Sequence, residues 1–174
     1  MASVSSFPPV ASRDARVLVL GSMPGVASLE AQRYYAHPRN AFWPIMGELL
    51  GFDASMPYRS RLAALRRSGV ALWDVLAQCV RPGSLDSDID LRSAQPNDFA
   101  GFLQRHRGVE QVLCNGGVAF QVFRRRVLPQ LPPPFAALSV LQMPSTSPAN
   151  AGARFEQKLA KWREGLRPLL SGAR

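Results

Sequence analysis

Three stretches hold residue types whose spacing could serve chemistry. GSMPG at 21–25 follows an apolar run directly, and YYAHPRNAFW at 34–43 gathers two tyrosines, a histidine, an arginine and an asparagine, with Arg33 just ahead of it. STSPAN at 145–150 offers small hydroxyls, a proline and an amide. In the first, Pro24 sets a turn and Gly21 and Gly25 permit close approach or positive φ, but the lysine of a phosphate loop and the glycine spacing of a dinucleotide fold are both missing. In the second, Asn40 stands before a helical apolar pattern and reads either as an N-cap or as a polar group facing a ligand. Tyr34 and Tyr35 read either as packing aromatics or, beside His37, Arg33 and Arg39, as a stacking floor for a nucleobase with cations for its phosphates. His37 alone reads as a hydrogen-bonded structural histidine. Small hydroxyls at 145–150 make a helix-entry turn or a ligand-facing edge.

The elements that must position these loops are legible as apolar runs. RVLVL (16–20), VALWDVL (70–76), QVLC (111–114) and AALSVLQM (136–143) read as buried strands. Between them lie segments with helical spacing: Phe42, Trp43, Ile45, Met46, Leu49 and Leu50; Leu62 and Leu65; Phe99, Phe102 and Leu103; Phe120, Phe123 and Val127. A last helix carries the stripe Phe155, Leu159, Trp162, Leu166 and Leu169, which would leave Lys158 and Lys161 on its polar side. Strand alternating with helix predicts an α/β protein, a mostly parallel sheet with helices on both faces, whose ligand groups collect on loops beyond the carboxyl ends of the strands. GSMPG and STSPAN each follow a predicted strand and so fall at one sheet edge. Residues 1–15 read as a polar, partly flexible arm, and PQLPPPF at 129–135 as a stiff connector within a single domain.

Composition narrows the partners. The 174 residues include 47% hydrophobic ones, enough for a substantial core, yet the net charge is +9. Excess cations do nothing for folding, whereas a polyanion supplies phosphates for them, and arginine provides nearly all of this charge because the only lysines are Lys158 and Lys161. Nucleic acid is the expected partner, against a merely basic surface. Cys79 and Cys114 are too few for a disulfide framework and are not spaced for a metal cluster, so they read as structural thiols. No basic segment leads into an apolar stretch at the start and no run approaches membrane-spanning length, which points to an intracellular, cytoplasmic protein.

Taken together, GSMPG, AHPRNAFW some ten residues later and the late STSPAN resemble the uracil-DNA glycosylase superfamily, and within it the hypoxanthine-DNA (deoxyinosine) glycosylase branch, whose first motif has this serine-methionine form. The resemblance runs from about residue 7 to the last helix. It implies a three-layer α/β/α sandwich around a central four-stranded parallel sheet and a monofunctional enzyme that flips a deaminated nucleotide out of DNA, hydrolyses its N-glycosidic bond and leaves an abasic site. Hypoxanthine is the base it implies, with no metal or other cofactor, and double- or single-stranded DNA as partner of a monomer.

The resemblance also assigns positions. Gly21, Ser22 and Met23 would lie beside the flipped nucleotide, and Met23 stands where most branches place an aspartate or asparagine to hold the attacking water. A thioether cannot do that, and in this branch the role falls to Asn40. Tyr35 would stack on the base, worth ~1–3 kcal/mol without much selectivity. Asp74 falls near the base, where its other reading is a capping or arginine-paired carboxylate. Ser145 begins the second motif and Ala149 takes the wedge position, with Ser147 and Asn150 toward DNA. Serine cannot stabilise an anionic leaving base as an imidazolium would, and alanine is a poor plug, so both depart from uracil-type chemistry. Two alternatives stand beside this reading: a uracil-preferring enzyme of the same fold, and a non-catalytic module for damaged or single-stranded DNA.

Overall fold

The computed structural model describes residues 2–170. A short strand β1 (Ser3–Ser5) precedes β2 (Val17–Gly21), and a long loop carrying the small helix α1 (Val26–Ala31) leads to α2 (Phe42–Leu50) and α3 (Tyr58–Arg67). Next come β3 (Val70–Asp74), β4 (Leu76–Val80), β5 (Asp90–Pro96), α4 (Phe99–Arg105), β6 (Gln111–Asn115) and α5 (Gly117–Val122), which a π-helical stretch continues over Phe123–Val127. The chain then forms β7 (Ser139–Met143), α6 (Phe155–Gly165) and α7 (Arg167–Leu170).

The expected sandwich is present. Four parallel strands run in the order β3-β2-β6-β7, with Val17 level with Val70 and Gln111. Side chains alternate across a strand, so Val17 and Val19 face the layer of α2, α3 and α6, while Leu18 and Leu20 face α4 and α5. Both faces are covered, which is why the parallel strands read as unbroken apolar runs. Phe42 and Trp162 lie fully buried on the first side and Phe99 and Phe102 on the second. Each such side chain contributes roughly 1.5–3 kcal/mol.

Several features depart from expectation. VALWDVL is not one strand: β3 stops at Asp74, and the next two amides turn aside to donate to the carbonyls of Gly21 (Val75 N, 2.8 Å) and Ser22 (Leu76 N, 3.2 Å). This crossing delivers β4 to a second, antiparallel sheet of order β1-β4-β5, which was not legible in the sequence. The N-terminal arm is threaded into the structure: Ser3–Ser5 pair with Gln78–Val80, Val10 bridges Leu72 and so covers the exposed edge of β3, and Trp73 donates to the Phe7 carbonyl at 3.1 Å. The last helix keeps most of its predicted face, with Trp162 and Leu166 buried and Leu159 and Leu169 packed against the same core, but departs from it at two positions. Lys158, Trp162 and Gly165 are buried while Phe155 is 39% exposed. Gly165 packs so close to the sheet that a Cβ there would meet Met143 Sδ at 2.8 Å and Leu113 at 3.0 Å. Burial pulls the Lys158 pKa down.

Candidate active site

At the carboxyl edge of the parallel sheet the loops enclose a cavity of about 580 Å³. Of the residues singled out in the sequence, Gly21, Ser22, Met23, Tyr35, Asn40, Asp74, Ser145, Ser147, Ala149 and Asn150 all line it. Arg33 and Arg39 do not. Arg33 lies over the Tyr58 ring, 5.5 Å from its centroid, and Arg39 is exposed on the loop ahead of α2. Tyr34 is largely a core residue: 4% exposed, it donates its hydroxyl to the Pro8 carbonyl at 2.9 Å and meets Phe7 edge-on. Of the two tyrosines, only Tyr35 remains for a stacking role.

Asn40 lines the cavity and also serves the helix that follows it. Its Oδ1 accepts the Phe42 N–H at 3.0 Å, so it serves the first turn of α2 although Ala41 is the residue at the cap position. An amide oxygen has a second acceptor site and its nitrogen has two protons, which leaves Asn40 polar capacity toward the cavity. His37 is held on the same turn, its Nδ1 accepting the Arg39 N–H at 3.1 Å, which puts the proton of a neutral ring on Nε2.

The floor of the cavity is built around Gly21. A Cβ there would collide with Asp74 Oδ1 and come within 3.0 Å of the Tyr35 hydroxyl, so only glycine lets both oxygens reach this point. Tyr35 holds an uncommon backbone conformation for an aromatic residue, φ 54°, and its ring stacks on Phe42 at 4.1 Å. Asp74 is 3% exposed, and neither its Oδ2 nor the Tyr35 hydroxyl has a hydrogen-bond partner among the described residues. Burial, and secondly the nearby charge of Asp86, push the Asp74 pKa up to about 7 against the opposing pull of Arg81. Burial and Asp74 likewise raise the Tyr35 pKa, opposed by the Asn115 side chain. Asp74 is thus neither a cap nor half of an ion pair. It is an acid that holds its proton near neutrality.

Asn115, at the end of β6, ties the late loop to the sheet. Its Nδ2 donates to Thr146 Oγ1 and its Oδ1 accepts the Thr146 N–H, both at 2.9 Å. Thr146 in turn accepts the Ala41 N–H at 3.0 Å, so one threonine joins STSPAN to the loop bearing Asn40. Ser145 Oγ accepts the Ser147 N–H at 3.2 Å, Ser147 Oγ accepts the Ala149 N–H at 3.2 Å, and Asn150 Nδ2 donates to the Ser145 carbonyl at 3.1 Å. Much of the polarity of this loop is spent on its own shape.

The sequence reading missed the segment between β4 and β5. Arg81 is 4% exposed, donates from Nε to the Gly83 carbonyl at 2.7 Å, and reaches the carbonyls of Met23 (3.3 Å) and Pro24. Ser84 Oγ accepts the Val26 N–H at 2.9 Å, and Asp86 Oδ1 accepts the Ser22 hydroxyl at 2.6 Å. GSMPG is therefore shaped from outside. The groups that brace it come from the connection between β4 and β5, and the one sequence signal was DSDID, three acids at two-residue spacing in a basic chain. Among the described residues no group of three or more metal-ligating side chains is gathered.

A parallel α/β sandwich with a nucleotide-sized cavity built from its carboxyl-edge loops is the architecture that the family comparison matches. The model of the uracil DNA glycosylase superfamily covers residues 8–167, and the chain belongs to that superfamily. It is a DNA glycosylase acting on DNA. Among its relatives is a protein of Methanosarcina barkeri named hypoxanthine DNA glycosylase, 38% identical over 111 residues that make up 63% of this chain and 69% of that one. A protein of Methanosarcina acetivorans with the same name is 34% identical over the same shares. A solution NMR structure from M. acetivorans, described as a candidate uracil DNA glycosylase, superposes with a TM-score of 0.81 at 28% identity, covering 97% of this chain and 99% of that one. No helix among the described residues is long and apolar enough to cross a membrane.

Proposed function

We propose that this glycosylase removes deaminated bases, hypoxanthine first, acting as a monomer on duplex or single-stranded DNA. One observation carries the chemistry: Tyr35 and Asn40, from the loop ahead of α2, and Asp74, from the end of β3, line one cavity. The names of the two relatives support the choice of base.

The extruded base lies against Tyr35, whose ring is already braced by Phe42 from behind. Water attacks the sugar C1′ as the bond to the base nitrogen breaks; the bond electrons leave with the base, which gains a proton overall. Asn40 orients the water through the acceptor site that Phe42 leaves open, and as an amide it acts by position rather than as a strong base. Asp74, with its pKa pushed up to about 7, keeps a substantial protonated fraction near neutral pH and presents a hydroxyl proton at the floor, where a purine leaving group offers ring nitrogens and a carbonyl oxygen. This supplies the leaving-group stabilisation that Ser145 cannot.

The test is a panel of labelled oligonucleotides containing inosine, xanthine or uracil, incubated with the protein and then cleaved at abasic sites with alkali. Preferential cleavage of inosine DNA supports the reading. Faster release of uracil transfers the preference to the other deaminated base, and binding without release from any of them leaves a binding module.

A further inference from the structure

Asp86 is a carboxylate in a place where DNA binding alone would not put one. The chain carries +9, a duplex is a polyanion, and a negative charge on the wall of the DNA-receiving cavity weakens the bound ground state. The same charge favours a cation. As the bond to the base breaks, positive charge develops on the sugar, and only an interaction stronger in that state than in the substrate accelerates the reaction.

We infer that Asp86 is the anionic partner of the cationic sugar, a further catalytic residue contributed by the segment between β4 and β5. This rests on the reading that the cavity takes an extruded nucleotide for N-glycosyl hydrolysis. Depth places the groups. Asp74 Oδ2 and the Tyr35 hydroxyl are fully sealed, while Asp86 is half-buried and lines the same cavity; with the base set against the sealed groups, its sugar is assigned to the less buried level of Asp86. Met23, on the facing loop, offers no charge, and the Asn40 amide is neutral.

The carboxylate is held rigidly. Ser22 donates to its Oδ1 at 2.6 Å, and its 3-10 turn (Asp86–Asp88) is closed by Ile89 N–H donating to the Asp86 carbonyl at 3.2 Å, with Ile89 buried in the core. At the other end of the segment Arg81 is buried against the carbonyls of Met23, Pro24 and Gly83. Asp88 and Asp90 of the same acidic run do not line the cavity. Fixed charge of this kind needs no reorganisation when the sugar becomes cationic. In this role Asp86 acts through its charge and takes no part in bond making.

The experiment compares two abasic-site analogues in otherwise identical duplexes: a tetrahydrofuran, which is neutral, and a pyrrolidine, which is cationic where the sugar charge develops. Wild-type protein is expected to bind the pyrrolidine duplex at least tenfold more tightly, and Asp86→Asn to lose that preference while binding the tetrahydrofuran duplex as well as wild type or better. Single-turnover base release by Asp86→Asn should fall ~10²–10³-fold. Asparagine keeps an acceptor for Ser22, so a purely structural Asp86 predicts the reverse order, with Ser22→Ala more damaging than Asp86→Asn. That order, or equal binding of both analogues by the wild type, overturns the inference. Neither analogue carries a base, so the comparison holds even if the preferred base is not hypoxanthine.

Discussion

Replacing Asp74 with asparagine should stabilise the protein, and only at the upper end of the pH range. Folding raises the Asp74 pKa from 3.8 to about 7, so between those values the folded state binds a proton that the unfolded chain has released. The contribution to stability is fully present below pH 3.8, declines as pH rises toward 7 and is gone above it. At 1.36 kcal/mol per unit the span amounts to about 4 kcal/mol, an upper bound because the cavity can admit water to an ionised carboxyl. Asparagine has nearly the same shape and nothing to ionise. Asp74→Asn should therefore match wild type near pH 4 and exceed it by roughly 2–4 kcal/mol at pH 8, which for a chain of this size is a rise of about 5–15 °C in Tm. Thermal or urea unfolding of both proteins from pH 4 to 8 measures this directly. The difference between the curves cancels the titrating groups that the substitution leaves unchanged. Parallel curves for the two proteins would refute the claim that Asp74 is a buried acid holding its proton.

Asn40→Ser should stay within about 1 kcal/mol of wild-type stability, because a serine oxygen can also serve the Phe42 N–H, yet lose ~10²–10³-fold in single-turnover base release; full activity would leave Asn40 as a cap alone. Tyr35→Phe should be as stable as wild type or more so, since the hydroxyl it removes is buried without a partner, and a fall of more than about 1 kcal/mol in urea unfolding would show that the hydroxyl is satisfied. Changing both Arg33 and Arg39 to alanine should weaken DNA binding and lower the salt slope by about one for each phosphate no longer neutralised, read from titrations between low and moderate salt; unchanged slopes would move the phosphate-binding face elsewhere. Borohydride should trap no covalent protein–DNA complex, because Lys158, although buried, lies outside the cavity lining and Lys161 pairs with Glu164 at 3.6 Å on the surface.

By itself, the sequence determined the parallel sheet, its helices and the loops that carry Asn40, Tyr35 and Asp74, because those features rest on local causes. A strand buried on both faces must be a continuous apolar run, a helix on a sheet must repeat every three to four residues, and turn chemistry marks where each ends. What it could not determine depended on contacts between distant segments. β4 and β5 are short, half-exposed strands without clean alternation, so nothing local announced the second sheet or the crossing at Val75 that splits one apolar run into two strands. Along α6 the burial of Lys158 and the exposure of Phe155 depart from the predicted stripe, and no local pattern announced the close approach of Gly165 to Leu113 and Met143. Arg81 reaches Met23 and Asp86 reaches Ser22 across about sixty positions, and Asn115 meets Thr146 across 31. Burial and the pKa of Asp74 follow from the same closure, since a carboxyl loses its water only when the chain around it is complete.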